Sequence, residues 1–173
     1  MPALMTASLC RLKRHQISWR CVATATRVSA SVTMGGARNA PTVQDGWRRD
    51  PAAFAEVIRQ LTAYFDGGLT VFSLDLAPQG TAFQQRIWTA LDSVEYGTTT
   101  TYGQLAAQLG VPRDRIQALG AAIGANPLAI IRPCHRVIGS DGSMRGYAGG
   151  VERKQQLLAH EGALLPMHGR VSW

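Results

Sequence analysis

"TTTTYGQLAAQLGVPRDRIQALGAAIGANP", residues 98–127, decides how this chain is built. Thr101 and Gln104 stand at capping-box spacing, where each side chain satisfies the other residue's backbone N–H. A short helix over 102–109 follows and ends at Gly110, and Val111-Pro112 makes the turn. A second helix, about 113–124, is rich in Ala and Gly, and Asn126-Pro127 stops it. Two short helices around a glycine-containing turn read as a helix-turn-helix, which lays its second helix against DNA. Small residues at Ala118, Gly120, Ala121, Ala122 and Gly124 keep that helix slim enough to approach a groove. The same residues serve equally well for a tight helix–helix contact inside the protein.

Just downstream, "IIRPCHRVIG" (130–139) sets Cys134 beside His135. The thiolate, not the thiol, is the nucleophile. His135, the nearby Arg132 and Arg136, or a carboxylate orienting the imidazole from elsewhere are the candidate activators. The plain alternative is a buried cysteine in an apolar strand. Asp141-Gly142 is a strong turn signal, and the runs on either side are expected to pair as a hairpin, which makes the helix-turn-helix a winged one. "MRGYAGG" (144–150) is a glycine loop. "VERKQQLLAHEGALL" (151–165) is an amphipathic helix with Val151, Leu157 and Leu158 inward, carrying His160-Glu161 and stopping at Gly162.

Upstream, Thr81 and Gln84 form another capping pair, opening a helix whose inner face is Phe83, Ile87, Trp88 and Leu91. "DPAAFAEVIRQLTAYFDGG" (50–68) has Asp50 as N-cap, Pro51 at the first helical position and a close at Gly67-Gly68. Phe54, Val57, Ile58, Leu61, Tyr64 and Phe65 recur at helical spacing. "LTVFSLDLA" (69–77) alternates Phe72, Leu74 and Leu76 as a half-buried strand does, before Pro78 and Gly80 break it.

The 173 residues make one ordinary domain or two small ones. The net charge of +7 is uneven. Residues 1–44 hold six bases and no acid, and the other 129 hold 12 bases and 11 acids. Within 113–154, seven bases face three acids around the thiol, a surface suited to phosphate or simply a solvated charged face. Three cysteines without framework spacing fit a reducing compartment, and no run of eighteen apolar residues marks a membrane span. Residues 1–45 show no clear period. They read as a disordered basic tail, a transit-like leader or an extension from a wrong start, with poor order favoured over a packed element. Cys10, His15 and Cys21 do not match a standard zinc spacing, so no metal is assigned.

"GTTTTYGQLA" (97–106), "GANP" (124–127), "PCHRV" (133–137), "GYAGG" (146–150) and "LLAHEG" (157–162) occur in an order that resembles the O6-alkylguanine-DNA alkyltransferases, or methylated-DNA–protein-cysteine methyltransferases. The resemblance covers about 81–165, with support from 47 onward. It implies an α+β chain: a small N-terminal α/β domain, then a mainly helical winged helix-turn-helix DNA-binding domain. The divisions are a 1–45 leader, a 46–80 remnant of the first domain, the 81–166 alkyl-acceptor domain and a 167–173 tail.

The resemblance also implies roles. Cys134 accepts the alkyl group irreversibly. His135 draws off the thiol proton through a bridging water, and Glu161 orients His135. Asn126 is the hinge between recognition helix and cysteine segment. Tyr102 helps rotate the nucleotide and donates to the flipped base. Carbonyls of Cys134 and Val137 read the exocyclic amine. Tyr147, Ser140 and Ile123 belong to the pocket, with Ala129 helping to set its width. Arg136 is a structural ion-pair partner. Thr101, Tyr102, Arg115, Gln117, Ala118 and Ala121 meet the DNA.

No cofactor is implied, because substrate and protein hold both reacting groups. The partner is double-stranded DNA with alkylated bases, and the protein is expected to be a monomer in the cytoplasm, with the leader leaving organelle targeting open. The family's usual helix arginine is Gln117 here. Either Gln117 enters the duplex with a weaker hold, or Arg115 replaces it by a local shift.

Three other readings have discriminators. A non-catalytic lesion binder of this family would lack the cysteine at 134. A winged-helix regulator leaves "PCHRV" and "HEG" without purpose. A cysteine hydrolase needs an oxyanion hole and turns over repeatedly.

Overall fold

A computed structural model describes residues 5–11, 18–24, 27–34, 37–38, 48–49, 52–76, 78–144 and 146–164, with the first strands described by backbone. Strands β1 (Met5–Arg11), β2 (Ser18–Thr24) and β3 (Arg27–Met34) form an antiparallel meander, and β4 (Arg48–Arg49) joins β1 in parallel. The sheet order is β3-β2-β1-β4. Over 5–11, 18–24 and 27–34 the chain is paired strand, where the sequence leads to an expectation of poor order. Short polar and small side chains hide the strand period, but paired backbones satisfy the N–H and C=O groups regardless. β3 also reaches the second half of the chain. Val32 N–H donates to Pro127 O at 2.7 Å, and Ala129 N–H to Val32 O at 2.8 Å.

Helix α1 (Ala55–Phe65) follows a 3₁₀ turn at Ala52–Phe54. The expected cap at Asp50 and Pro51 lies outside the described residues, as does His15. The helix closes as expected at Gly67-Gly68. Gly67 takes φ 77°, its N–H bonds Tyr64 O, and Gly68 N–H bonds Ala63 O. Val57, Leu61, Tyr64 and Phe65 are buried on one face.

The stretch 69–77 is a correction. Its side chains alternate, Val71, Ser73 and Asp75 outward against half-buried Phe72, Leu74 and Leu76, yet it pairs with no strand among the described residues. The Gln60 side chain takes the place of a neighbouring strand, bonding both Ser73 N–H (2.8 Å) and Ser73 O (2.7 Å).

Both capping boxes form. Thr81–Gln84 opens α2 (Ala82–Leu91), and Thr101–Gln104 opens α3 (Tyr102–Gln108). Gly110, at φ 61°, ends α3. A 3₁₀ turn at Arg113–Arg115 then leads into α4 (Ile116–Gly124). Arg115 therefore precedes the helix rather than lying on it. Helix α4 buries Leu119, Ala122 and Ile123 and leaves Gln117, Ala118 and Ala121 exposed. Trp88, itself buried, fixes α4 from behind by donating Nε1–H to Ala122 O at 2.8 Å.

The expected hairpin across Asp141-Gly142 does not form. The turn is present, closed by Gly139 N–H to Ser143 O (2.9 Å) with Gly142 at φ 77°. However, Cys134–Arg136 is a 3₁₀ turn, and β6 (Val137–Ile138) pairs in parallel with β5 (Thr100–Thr101) instead. Downstream, Gly146 at φ 62° leads the chain over the cysteine. In α5 (Val151–His160), Leu157 and Leu158 are buried as expected, but Val151 is 45% exposed and Lys154 takes the inward position at 1% exposure.

Candidate active site

Cys134 sits on the 3₁₀ turn between the chain leaving α4 and β6, and it is buried. The approach is strained: Ile130, buried at 1% exposure, has φ 68°, a conformation that costs a β-branched residue about 1–3 kcal/mol. Asn126, just past α4, spans this bend. Its Nδ2 donates to Arg132 O (2.9 Å) and to Cys134 Sγ (3.2 Å), while its Oδ1 accepts Leu128 N–H (3.0 Å).

The neighbours of Cys134 fix its imidazole and guanidinium partners. His135 Nε2 lies 2.8 Å from Glu161 Oε1, both side chains fully buried. Arg136 donates Nε–H to Glu161 Oε2 (2.8 Å) and Nη2–H to Oε1 (3.0 Å), so it is the expected ion-pair partner. Tyr64 of α1 adds its hydroxyl to Oε1 at 2.6 Å. Burial alone would raise the Glu161 carboxyl. The bonds from His135, Arg136 and Tyr64 outweigh it and bring it down to about 2. An ionised carboxylate only accepts, so Nε2 of His135 carries the proton. Nδ1 is then the lone-pair nitrogen, buried and without a hydrogen-bond partner among the described residues. Burial lowers the imidazole's own pKa, against the pull of Glu161, which keeps it neutral and able to take a proton.

Burial raises the Cys134 pKa, opposed by the Asn126 amide and the charge of Lys154. The resting sulfur is a protonated thiol that needs a base. Lys154 donates Nζ–H to Val137 O at 2.6 Å, and burial pushes its pKa down to about 8, against the pull of Cys134.

A narrow pocket of ≈ 10 Å³, room for one water, stands over the sulfur, with Ile123, Asn126, Ala129 and Tyr147 in its wall. Tyr147 is buried, and its hydroxyl has no hydrogen-bond partner among the described residues. Tyr102 lies outside this lining, but a Cβ at Gly146 would stand 3.7 Å from its hydroxyl, so it faces the glycine loop. Burial and the nearby Cys134 raise the Tyr102 pKa, which keeps it a donor. Ser140 is exposed on the 139–143 turn and does not line the pocket. Thr101 is half-buried at the start of α3, where it caps the helix.

Among the site residues, sequence reasoning missed Tyr64 and Lys154. Each stands at an ordinary helical spacing. Only the inward phase of Lys154, three residues before Leu157, carries a signal. Among the described residues, no group of His, Cys, Asp and Glu could hold a metal ion, and no helix is long and apolar enough to cross a membrane.

This arrangement offers a buried sulfur, a neutral base anchored by a carboxylate, and a slim exposed helix alongside. The chain is similar to known proteins in both sequence and fold. Residues 82–163 match the family described as 6-O-methylguanine DNA methyltransferase, DNA binding domain. The methylated-DNA–protein-cysteine methyltransferase of Mycolicibacterium paratuberculosis is 51% identical over 116 residues, 67% of this chain and 70% of that protein. Its counterpart from Methanosarcina acetivorans is 48% identical over 121 residues, 70% of this chain and 77% of that one. The crystal structure of Mycobacterium tuberculosis OGT in complex with DNA superposes with a TM-score of 0.79 at 40% identity, covering 91% of this chain and 93% of that one. Matching in sequence over the cysteine-bearing half and in fold along nearly its whole length, the chain belongs to the methylated-DNA–protein-cysteine methyltransferase family.

Proposed function

We propose that this protein repairs DNA by taking the alkyl group of O6-alkylguanine onto Cys134, once per molecule. The observation that carries this reading is a pair of buried contacts on adjacent residues of one turn, Asn126 Nδ2 to Cys134 Sγ and His135 Nε2 to Glu161 Oε1. The target base leaves the stack and enters the pocket beside the glycine loop, which costs a few kcal/mol and is cheapest for a weakened pair. At ≈ 10 Å³ the pocket admits no base as it stands, so Gly146–Gly149 must move aside.

His135 Nδ1 receives the thiol proton through a water, and its charge is balanced by Glu161. The thiolate's electron pair forms the S–C bond as the C–O6 bond breaks, and that pair goes to the guanine oxygen. Tyr102, held protonated, donates to the departing base. Cys134 O already accepts Val137 N–H, and Val137 O accepts Lys154. A carbonyl has two lone pairs, so each retains one for the exocyclic amine. The thioether has no ability to leave, which makes the protein a stoichiometric reagent.

Helices α3 and α4 act as the helix-turn-helix, with Gln117, Ala118, Ala121 and Arg115 toward the groove, and Thr101 and Tyr102 at the strand beside it. The 139–143 turn is the wing, a minimal one. The partner is alkylated double-stranded DNA. The test is the intact mass of the protein after mixing with an O6-methylguanine duplex. One methylene is gained, mapped to Cys134, in a one-to-one ratio with lesion removed. Cys134→Ser gains nothing. Repeated turnover, or unchanged mass with lesion removed, would overturn the assignment.

A further inference from the structure

Glu161 anchors the base of the proposed reaction, and one of its hydrogen bonds comes from outside the cysteine-bearing half. Tyr64 projects from α1, is fully buried, and donates to the same oxygen, Oε1, that His135 Nε2 uses. Its ring is boxed in by Phe65, Phe72, Tyr96 and His160, with centroids 5.0–6.1 Å away. His160 Nε2 also bonds Tyr64 O at 2.8 Å, so α1 is tied at two points to the end of α5 where Glu161 sits. The hydroxyl is thus held in one place by the packing of the N-terminal half.

We propose that Tyr64 is a positioning residue that sets the basicity of His135 by competing for Glu161 Oε1. The inference rests on the alkyl-transfer reading of Cys134. Tyr64, His135 and Arg136 all donate to this one oxygen, so each weakens the others' bonds. A strong Tyr64 donor draws charge from the carboxylate and leaves His135 less basic, and a weak one returns the charge to Nε2–H. Burial and the Glu161 charge push the phenol pKa upward, so Tyr64 keeps its proton and donates throughout the working range. The other ionisable groups facing these side chains are Arg136 and Cys134 on the same turn, Lys154 and His160 on α5, Tyr96 on the loop before β5, and Tyr147 on the glycine loop. None of them changes when position 64 alone is altered. The N-terminal half, by this account, tunes the reaction as well as supporting the fold.

Two full-length variants test it: Tyr64→Phe, and the protein with 3-fluorotyrosine at position 64, a more acidic phenol of nearly the same shape. Single-turnover transfer from an O6-methylguanine duplex is measured against pH, and the His135 ring is titrated by NMR. Tyr64→Phe moves the acid limb and the His135 titration up by about half a unit or more, and the fluorinated protein moves both down. A purely structural role lowers the rate at every pH and leaves both titrations in place, and that result overturns the proposal. So do shifts of the same sign in the two variants. If Tyr64→Phe does not fold, the fluorinated protein decides by itself. Wild-type protein that gains no methylene at Cys134 refutes the alkyl-transfer reading instead, a separate outcome in the same experiment.

Discussion

Asn126 and Cys134, eight positions apart, meet at 3.2 Å through a side-chain amide that donates to the sulfur. That bond favours thiolate where burial favours thiol. Asn126→Ala should raise the thiol pKa and slow methyl transfer about 10- to 100-fold, the worth of one hydrogen bond to a charged group. Asn126→Asp should be slower still, because it sets a carboxylate against the developing thiolate. Thiolate absorbance against pH and single-turnover rates check both. The alanine variant should also unfold more easily by about 1–3 kcal/mol, since Leu128 N–H is left without its buried acceptor.

The Glu161 carboxyl lies at about 2 in the folded protein against its usual 4.5, and this makes a pH signature. A lowered acid pKa contributes stability in full above the unfolded value, and the contribution is lost as pH falls from about 4.5 toward 2, some 3 kcal/mol in all. Glu161→Gln should remove that acid-side loss and cost about 3–5 kcal/mol at neutral pH, because Arg136 is left as a buried charge without its counter-ion. Transfer should slow at least about 100-fold, within the range for losing support of a general base. Urea unfolding of both proteins between pH 2 and 7, with rates at pH 7, settles this.

How legible each part is depends on whether its cause is local. The capping boxes at Thr81 and Thr101 and the glycine stops at Gly67, Gly110 and Gly162 are local, and the structure has them. The exposed face of Gln117, Ala118 and Ala121 follows from helix phase. The His135–Glu161 contact joins residues 26 positions apart and is reached only through the family resemblance. The strands of the first 34 residues carry few large apolar side chains, so pattern reading finds no period there. "LTVFSLDLA" shows the reverse failure: its alternation is real, but a strand needs a partner, and Gln60 supplies only one residue's worth. Lys154 reads as an outward charge because lysines seldom point inward without a partner. Val137 O, which receives it, is set by the turn around Cys134.

Lys154→Met separates electrostatics from packing. The ammonium is pushed down to about 8 by burial against 10.5 when exposed. Between those values the unfolded chain holds the proton and the folded one does not, so this group makes stability rise with pH across that window. The rise is roughly 3 kcal/mol at full effect. Methionine should abolish the rise, seen as the difference between wild-type and variant unfolding from pH 7 to 10.5. Loss of the positive field at Cys134 should at the same time raise the thiol pKa and slow transfer several-fold.

Gln117 stands on the exposed face of α4, and Arg115 is equally exposed on the 3₁₀ turn before it. The two offer alternative fillers for the space a flipped base leaves behind, and alanine variants distinguish them. If the amide fills the gap, Gln117→Ala weakens duplex binding and slows transfer more than Arg115→Ala does. If the guanidinium reaches across instead, Arg115→Ala is the more damaging, and it also flattens the logarithmic salt dependence by about 0.9 for each phosphate no longer neutralised. Gln117→Arg should tighten binding and speed repair about 3- to 10-fold, since a planar cation stacks and holds more firmly than a neutral amide. No effect of Gln117→Arg on either quantity would show that this face of α4 does not enter the duplex, and the recognition surface would have to be placed elsewhere. Fluorescence anisotropy over a salt series, with single-turnover rates on the same duplex, gives all the readings.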